Sequence, residues 1–410
     1  MLKSKLNSIF RQGRLTVILD GGKQYTFGDG QTGHEPVVVR LKGHLTPLKI
    51  AADPDRFLGQ AYMDGDLIME QGSIYDLLDL AGTNLAGLPQ HYPGIIRRAG
   101  YKALAAVQQY NNQRRSRRNV AHHYDLSTDL YRLFLDQDLQ YSCAYFADPT
   151  VSLDDAQTAK KRHIIAKLLL KPGQRVLDIG CGWGGMAISI AQQENVHVLG
   201  VTLSTEQLKV ARQRVEDLGL QDRVTFELRD YRTLEGTFDR IVSVGMFEHV
   251  GTPQYKTYFN TVSRLLAPNG VALIHSIGRN HGIAKPNAWI NKYIFPGGYI
   301  PSLSEVIPPI ETSGLWLTDL EVLRLHYAET LKHWRERFLQ RKGELGSLYD
   351  ERFCRMWEFY LAASEMSFRH GGFMVFQAQL SNSVDAVPLT RDYMVDTADR
   401  APLPLVQAAE

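Results

Sequence analysis

Arg175-Val-Leu-Asp-Ile-Gly-Cys-Gly-Trp-Gly-Gly185 decides the reading of this 410-residue chain. A short apolar run ends in closely spaced glycines and opens into Met186-Ala-Ile-Ser-Ile-Ala-Gln-Gln193, which reads as a helix. Such a strand–turn–helix lets a cofactor approach backbone where side chains would collide with it. Alone, the glycine run is open between a dinucleotide and S-adenosylmethionine.

The segments around it extend a doubly wound sheet. Residues 196–203, 224–228, 238–245 and 271–277 read as further strands, with helices over 204–218 and 255–266. Ser204 is a candidate N-cap, with Gln207 three residues on. Apolar strands alternating with helices imply a parallel sheet covered on both faces. Ligands then lie beyond the carboxyl ends of the strands, so residues 180–185, 202–207, 230–231, 246–251 and 275–278 face the site. A nicotinamide site expects an acidic residue closing the second strand. Here Val201-Thr-Leu-Ser-Thr205 carries none, which favours S-adenosylmethionine while leaving an oxidoreductase as the rival.

With 44% hydrophobic and 22% charged residues, composition is that of an ordinary globular protein with room for two domains. The net charge of +2 hides an asymmetry. Between Leu80 and Tyr124 there is no carboxylate, while Arg97, Arg98, Lys102, Arg114, Arg115, Arg117 and Arg118 lie there. A solvated linker is one reading of this block, and attraction to anionic lipid is another. Nucleic acid lacks the interleaved aromatics or recognised fold that would support it. No apolar run approaches a membrane span, and no signal-peptide core follows the basic N-terminus, so a cytoplasmic protein is expected. Cys143, Cys181 and Cys354 are too few and too scattered for a disulfide framework or zinc site, and no metal is expected.

The expected organisation is an N-terminal α+β domain over 1–92, a basic linker over 93–119, a catalytic domain over 120–396 and a tail over 397–410. Within the first, residues 14–19, 24–27 and 37–41 are strand-like, and 54–63 and 73–81 helical. A helix over 95–109 is expected in the linker. After residue 293 the pattern is irregular, then helical over 327–341 and 348–368, segments that could line a lipid tunnel.

Several further segments complete a pattern: His122-His-Tyr-Asp-Leu-Ser127, Tyr141-Ser-Cys-Ala-Tyr-Phe146, Val244-Gly-Met-Phe-Glu-His-Val-Gly251, Leu273-Ile-His-Ser-Ile-Gly278, Trp289-Ile-Asn-Lys-Tyr-Ile-Phe-Pro-Gly-Gly298 and His326-Tyr327. With the glycine turn, these make residues 118–380 resemble the cyclopropane-fatty-acyl-phospholipid synthases and their relatives, the mycolic acid cyclopropane synthases. The resemblance implies an α/β fold: a Rossmann-like doubly wound sheet of a class I methyltransferase, with helical lipid-site insertions and the small N-terminal α+β domain of the longer members.

It also implies a chemistry. The alkene of an unsaturated phospholipid acyl chain attacks the methyl carbon of S-adenosylmethionine, and the resulting carbocation loses a proton from the transferred carbon as the ring closes. In the family a bound bicarbonate takes that proton, and its holders correspond to Cys143, Glu248, His275, the backbone of Ile277, and Tyr327. Donors suit a small oxyanion, and Glu248 could accept the bicarbonate hydroxyl or orient His275. For S-adenosylmethionine the resemblance carries over Tyr124, Tyr141, Ser142, Gly180, Gly182, Gly184, Thr202, Leu203, Gln207, Asp230 and Tyr231. Thr202 with Gln207 could stand in for the absent ribose carboxylate. Peripheral association with the inner membrane face is expected from the basic block together with the resemblance, and a homodimer by resemblance alone. A methyl-branched product and a catalytically inactive lipid-binding protein stay open as alternatives.

Overall fold

The computed structural model describes residues 2–30, 33, 35–86 and 127–394. Tyr124, the basic linker and its expected helix, and the tail from residue 397 fall outside the described residues. Two compact units emerge, and each is taken by itself.

The larger unit holds a seven-stranded sheet among the described residues. Its strands are β5 (Arg175–Ile179), β6 (His197–Thr202), β7 (Val224–Leu228), β8 (Phe238–Val244), β9 (Leu266–Arg279), β10 (Trp316–Leu323) and β11 (Phe373–Ser381). The order is β10-β11-β9-β8-β5-β6-β7. β5 through β9 pair in parallel, with Val176 opposite both Val198 and Arg240 and Val244 opposite His275. The order reverses between β5 and β8, and crevices for ligands open at such switch points.

Both faces are covered, which is why the central strands read as continuous apolar runs. After the short α5 (Thr128–Arg132), α6 (Leu153–Leu168), α7 (Gly185–Gln193) and α8 (Thr205–Asp217) contribute Ile164, Ala187, Leu208 and Ala211 on one face. On the other, α9 (Tyr255–Leu265) and α11 (Leu303–Thr312) contribute Tyr258, Phe259, Val306 and Ile310. The doubly wound α/β sheet and the central strands read from sequence stand. The antiparallel pair of β10 and β11 was not foreseen. β11 reads Phe-Met-Val-Phe-Gln-Ala-Gln-Leu-Ser, and its two buried glutamines break the apolar pattern. Nor was α11 foreseen, because Pro308 and Pro309 look like helix breakers; Ser302 and Glu305 start it with a capping box.

The smaller unit contains a four-stranded sheet of β1 (Leu15–Leu19), β2 (Gln24–Phe27), β3 (Val37–Leu41) and β4 (Leu67–Gln71) in the order β2-β1-β3-β4, with β1 and β3 parallel. Around it lie α1 (Leu2–Ile9), α2 (Thr46–Ala52), α3 (Pro54–Asp64) and α4 (Ile74–Ala86). The unit does not follow the sequential division expected at residues 92 and 120. It also takes in Lys285–Pro296 and Leu331–Phe373, including α10 (Ala288–Tyr293), α13 (Lys342–Leu348) and α14 (Glu351–Arg369). The reason is burial: α14 carries Trp357, Phe359 and Leu361, all buried. α3 helps cover this helix, and Gly59 has no room for a Cβ beneath Phe359 and Trp289. The ends are tied by Arg355 Nε donating to Met63 O (3.0 Å) and by His370 with Asp79 (2.8 Å). The helix expected over 348–368 thus starts afresh at the N-cap Asp350, which accepts from Phe353 N.

Candidate active site

Three glycines turn the chain at the end of β5, at φ +82° (Gly180), +56° (Gly182) and +85° (Gly184), in the left-handed region that side chains disfavour. A Cβ at Gly180 would lie 2.8 Å from Met246 Cγ, and one at Gly184 would lie 2.6 Å from Phe226 Cζ. One at Gly182 would meet nothing within 4 Å. The outer glycines are therefore required by packing, while the middle one presents open backbone. The Gly180 and Cys181 N–H groups donate to Val201 O (2.9 and 3.1 Å), locking the turn to β6.

Just before the turn stands Asp178, which the sequence reading passed over as part of a strand. It is fully buried and its Oδ2 has no hydrogen-bond partner among the described residues. Burial pushes it up to about 7, with Lys160 pulling down. An orphaned buried carboxylate oxygen beside open glycine backbone fits the ammonium of a bound S-adenosylmethionine.

At the end of β6, Thr202 Oγ1 donates to Gln207 Oε1 (3.1 Å) and Gln207 N donates to Ser204 Oγ (3.2 Å). Ser204 is thus the N-cap of α8, but the box is not reciprocal, since the Gln207 side chain turns to Thr202. Leu203, between them, is half-buried. Beyond β7, Asp230 is buried and accepts from Arg232 N (3.0 Å), Nε (2.9 Å) and Nη2 (2.6 Å). Tyr231 sets its ring edge-on to Tyr258 at 5.5 Å, and burial pushes its hydroxyl up.

The segment carrying Tyr141, Ser142 and Cys143 has little regular structure and is held by α6. Gln157 Nε2 donates to Gln140 O (3.2 Å) and Ser142 O (3.0 Å), and Lys160 Nζ to Gln140 Oε1 (2.5 Å) and Ser142 Oγ (2.9 Å). Asp138 pairs with Lys161 and Arg214, and Arg214 Nη1 also donates to Trp183 O (2.7 Å) in the glycine turn. One buried polar network therefore ties the Gln140–Ser142 segment to α6 and, through Asp138 and Arg214, to the glycine turn. Within it burial pushes Lys160 down to about 8, opposed by Asp136, and lifts Asp136 to about 6. Tyr141 stands edge-on to Tyr131 at 5.2 Å.

Cys143 is wholly buried, its Sγ donates to Ala144 O (3.3 Å), and burial pushes the thiol up, so it is a neutral donor. Beside it, Ala144 N donates to Thr330 Oγ1 (3.0 Å) and Phe146 N to His326 Nδ1 (2.9 Å). These bonds fasten the first turn of α12 (His326–Gln340), and with it half-buried Tyr327, to the Cys143 segment.

Glu248 sits in the short 3₁₀ turn Phe247–His249 after β8. Its Oε1 accepts from Ile277 N (2.7 Å), while Oε2 is buried with no hydrogen-bond partner among the described residues. Burial pushes Glu248 up to about 7, against the lowering pull of the Ile277 N–H, its own backbone N–H and the nearby Ser276 hydroxyl. The expectation that Glu248 orients His275 is not met. His275 Nδ1 lies 3.2 Å from Gln377 Nε2 on β11 instead. Burial, with Lys160 and Lys167 nearby, holds this imidazole well below its usual range and hence neutral. Half-buried His249 is pushed down to about 4 by desolvation. Besides Asp178, sequence reasoning missed Lys160 and Gln377. Lys160 lies in the polar run Asp154-Asp-Ala-Gln-Thr-Ala-Lys-Lys-Arg162, where nothing distinguishes a buried lysine. Gln377 did leave a signal, as an amide inside an apolar strand.

Comparison with known proteins shows the family. A family model described as mycolic acid cyclopropane synthetase matches residues 111–378. The cyclopropane-fatty-acyl-phospholipid synthase of Escherichia coli (strain K12) is 40% identical over 355 residues, covering 86% of this chain and 90% of that protein. Tuberculostearic acid methyltransferase UfaA1 of Mycobacterium tuberculosis is 44% identical over 276 residues, 64% of each chain. Among solved structures, mycolic acid cyclopropane synthase CmaA1 complexed with SAH and CTAB superposes with a TM-score of 0.61 at 35% identity, covering 64% of this chain and 97% of that one.

Proposed function

Because the chain belongs to the mycolic acid cyclopropane synthetase family, and is thereby an S-adenosylmethionine-dependent methyltransferase, we propose that it adds a methylene unit across the cis double bond of an unsaturated phospholipid acyl chain. The observation that carries this reading is Glu248, a buried carboxyl held by the Ile277 N–H with its second oxygen unpartnered. Such an atom calls for a polar ligand.

In this reading Gly182, Asp178, Thr202 and Gln207 hold the S-adenosylmethionine, with Leu203, Asp230 and Tyr231 toward its adenosine end and Tyr141 and Ser142 toward its sulfur. Fixing the sulfonium against the alkene supplies much of the rate, since an alkene is a weak nucleophile. Bicarbonate, when bound, supplies the base for the proton leaving the transferred carbon. Tyr327 and His275 donate hydrogen bonds to such an anion, and Cys143 does so once its S–H turns from Ala144 O. The Ile277 N–H, expected to bind it directly, is taken by Glu248 and acts through that residue. A carboxyl raised to about 7 is half-protonated near neutrality, so Glu248 can stand beside an anion without full like-charge repulsion. Burial of the site keeps water from quenching the cation.

The acyl substrate is supported by the E. coli relative's name and by the long-chain amphiphile CTAB in the CmaA1 structure. Among the described residues no helix is long and apolar enough to cross a membrane. We read lipid access as peripheral, through the basic residues 97–118, and the protein as a homodimer.

The test incubates pure protein with S-adenosylmethionine and vesicles of dioleoylphosphatidylglycerol. Mass spectrometry of the released fatty acids should show a gain of one CH₂, and NMR should show ring methylene protons. A branched methyl group instead would favour the chemistry named for UfaA1, and no mass gain would refute lipid alkylation. Neutralising Arg114, Arg115, Arg117 and Arg118 should weaken vesicle binding and flatten its salt dependence.

A further inference from the structure

We propose that Gln377 is a positioning residue that fixes His275 as the Nε2–H tautomer, with Lys167 and Glu321 setting the direction of the Gln377 amide. The inference rests on the reading that His275 donates to the oxyanion.

The chain of hydrogen bonds allows one assignment. Lys167 Nζ donates to Gln377 Oε1 (2.7 Å) and to Glu321 Oε2. An ammonium only donates, so it must face the amide oxygen of Gln377. The NH₂ of that amide therefore faces His275 Nδ1, 3.2 Å away. An NH₂ also only donates, so Nδ1 must present its lone pair. A neutral imidazole carries one N–H, which is left to Nε2.

The supporting groups are themselves fixed. Gln377, Lys167 and His275 are all buried. Glu321 is held by Lys167 and by His163 Nε2 (2.6 Å), which together keep it down at about 2 despite partial burial. Gln379 Nε2 donates to Lys167 O (2.7 Å), tying the end of α6 to β11. Burying an ammonium is costly. Here its outcome is to aim one amide at one ring nitrogen. Partners that orient a metal-ligating histidine in this way matter about 10–100-fold, and a loss of the same order is expected here.

Gln377→Glu is the discriminating variant. It keeps the shape, but a carboxylate accepts from both Lys167 and His275 and so draws the proton to Nδ1. In full-length protein labelled with ¹⁵N-histidine, long-range ¹H–¹⁵N correlation should show His275 protonated at Nε2 in the wild type and at Nδ1 in Gln377→Glu. The variant should also lose about 10–100-fold in kcat on dioleoylphosphatidylglycerol vesicles, with its dissociation constant for S-adenosylmethionine unchanged. A wild-type Nδ1–H tautomer, which needs no variant to observe, overturns the proposal. So does a Gln377→Glu protein that keeps wild-type kcat. The tautomer is read without lipid, so a wild type that transfers nothing to lipid would sink the functional reading separately.

Discussion

Glu248→Gln probes the energetics of the site through folding stability. Burial raises this carboxyl from 4.5 to about 7, and each pKa unit is worth about 1.4 kcal/mol. A raised acid favours the folded state while protonated. Its contribution is whole below pH 4.5, fades as pH climbs to about 7, and above that the buried charge leaves the protein about 3 kcal/mol less stable than at acid pH. Glutamine has no proton to lose. Its Oε1 keeps the Ile277 N–H, while its NH₂ occupies the unpartnered position of Oε2 at a cost of about 1–3 kcal/mol that is the same at every pH. The stability difference between variant and wild type should therefore move by about 2.5 kcal/mol in the variant's favour between about pH 5 and pH 8.5. Asp178 and Asp136 are raised to about 7 and about 6 and titrate over the same range. Both are present in both proteins, so they cancel in the comparison. Urea unfolding followed by circular dichroism at the two pH values gives the difference directly. A difference that stays constant with pH would refute the assignment of Glu248 as a desolvated carboxyl.

The glycine turn gives a contrast. Gly184→Ala meets Phe226 at 2.6 Å as well as a positive φ and should cost stability by about 2–5 kcal/mol. Gly182→Ala meets only the backbone strain, about 1–2 kcal/mol, but should weaken S-adenosylmethionine binding measured by calorimetry; equal effects on stability and unaltered binding would count against an open face at Gly182. Lys161→Met leaves Asp138 with Arg214 and the Gln140 amide and should destabilise by about 1.5–3 kcal/mol, read as a lower urea midpoint; an unchanged midpoint would mean the network is not cooperative. All three cysteines are buried, and burial pushes each thiol up. The native protein should resist iodoacetamide at neutral pH until urea opens it, and fast native labelling of Cys143 by mass spectrometry would contradict its place in the structure.

The sequence by itself settled what depends on neighbours along the chain. The apolar run before Gly180, the left-handed glycines and the Ser204 cap are local geometry, so the central strands and the cofactor turn were legible. The recurring motifs identified Cys143, Glu248, His275 and Tyr327 as candidates. Tertiary structure decided which polar groups meet. Glu248 holds Ile277 rather than His275, Gln377 reaches His275 from a strand 102 residues away, and Lys160 is buried on a helix whose sequence looks like a solvated surface. The α14 helix shares a unit with α3 and α4 because its aromatic face needs their cover. The physical reason is the same in each case. Backbone conformation follows from short-range sterics written residue by residue, whereas burial and the pairing of charges depend on which distant segments the packed core brings into contact.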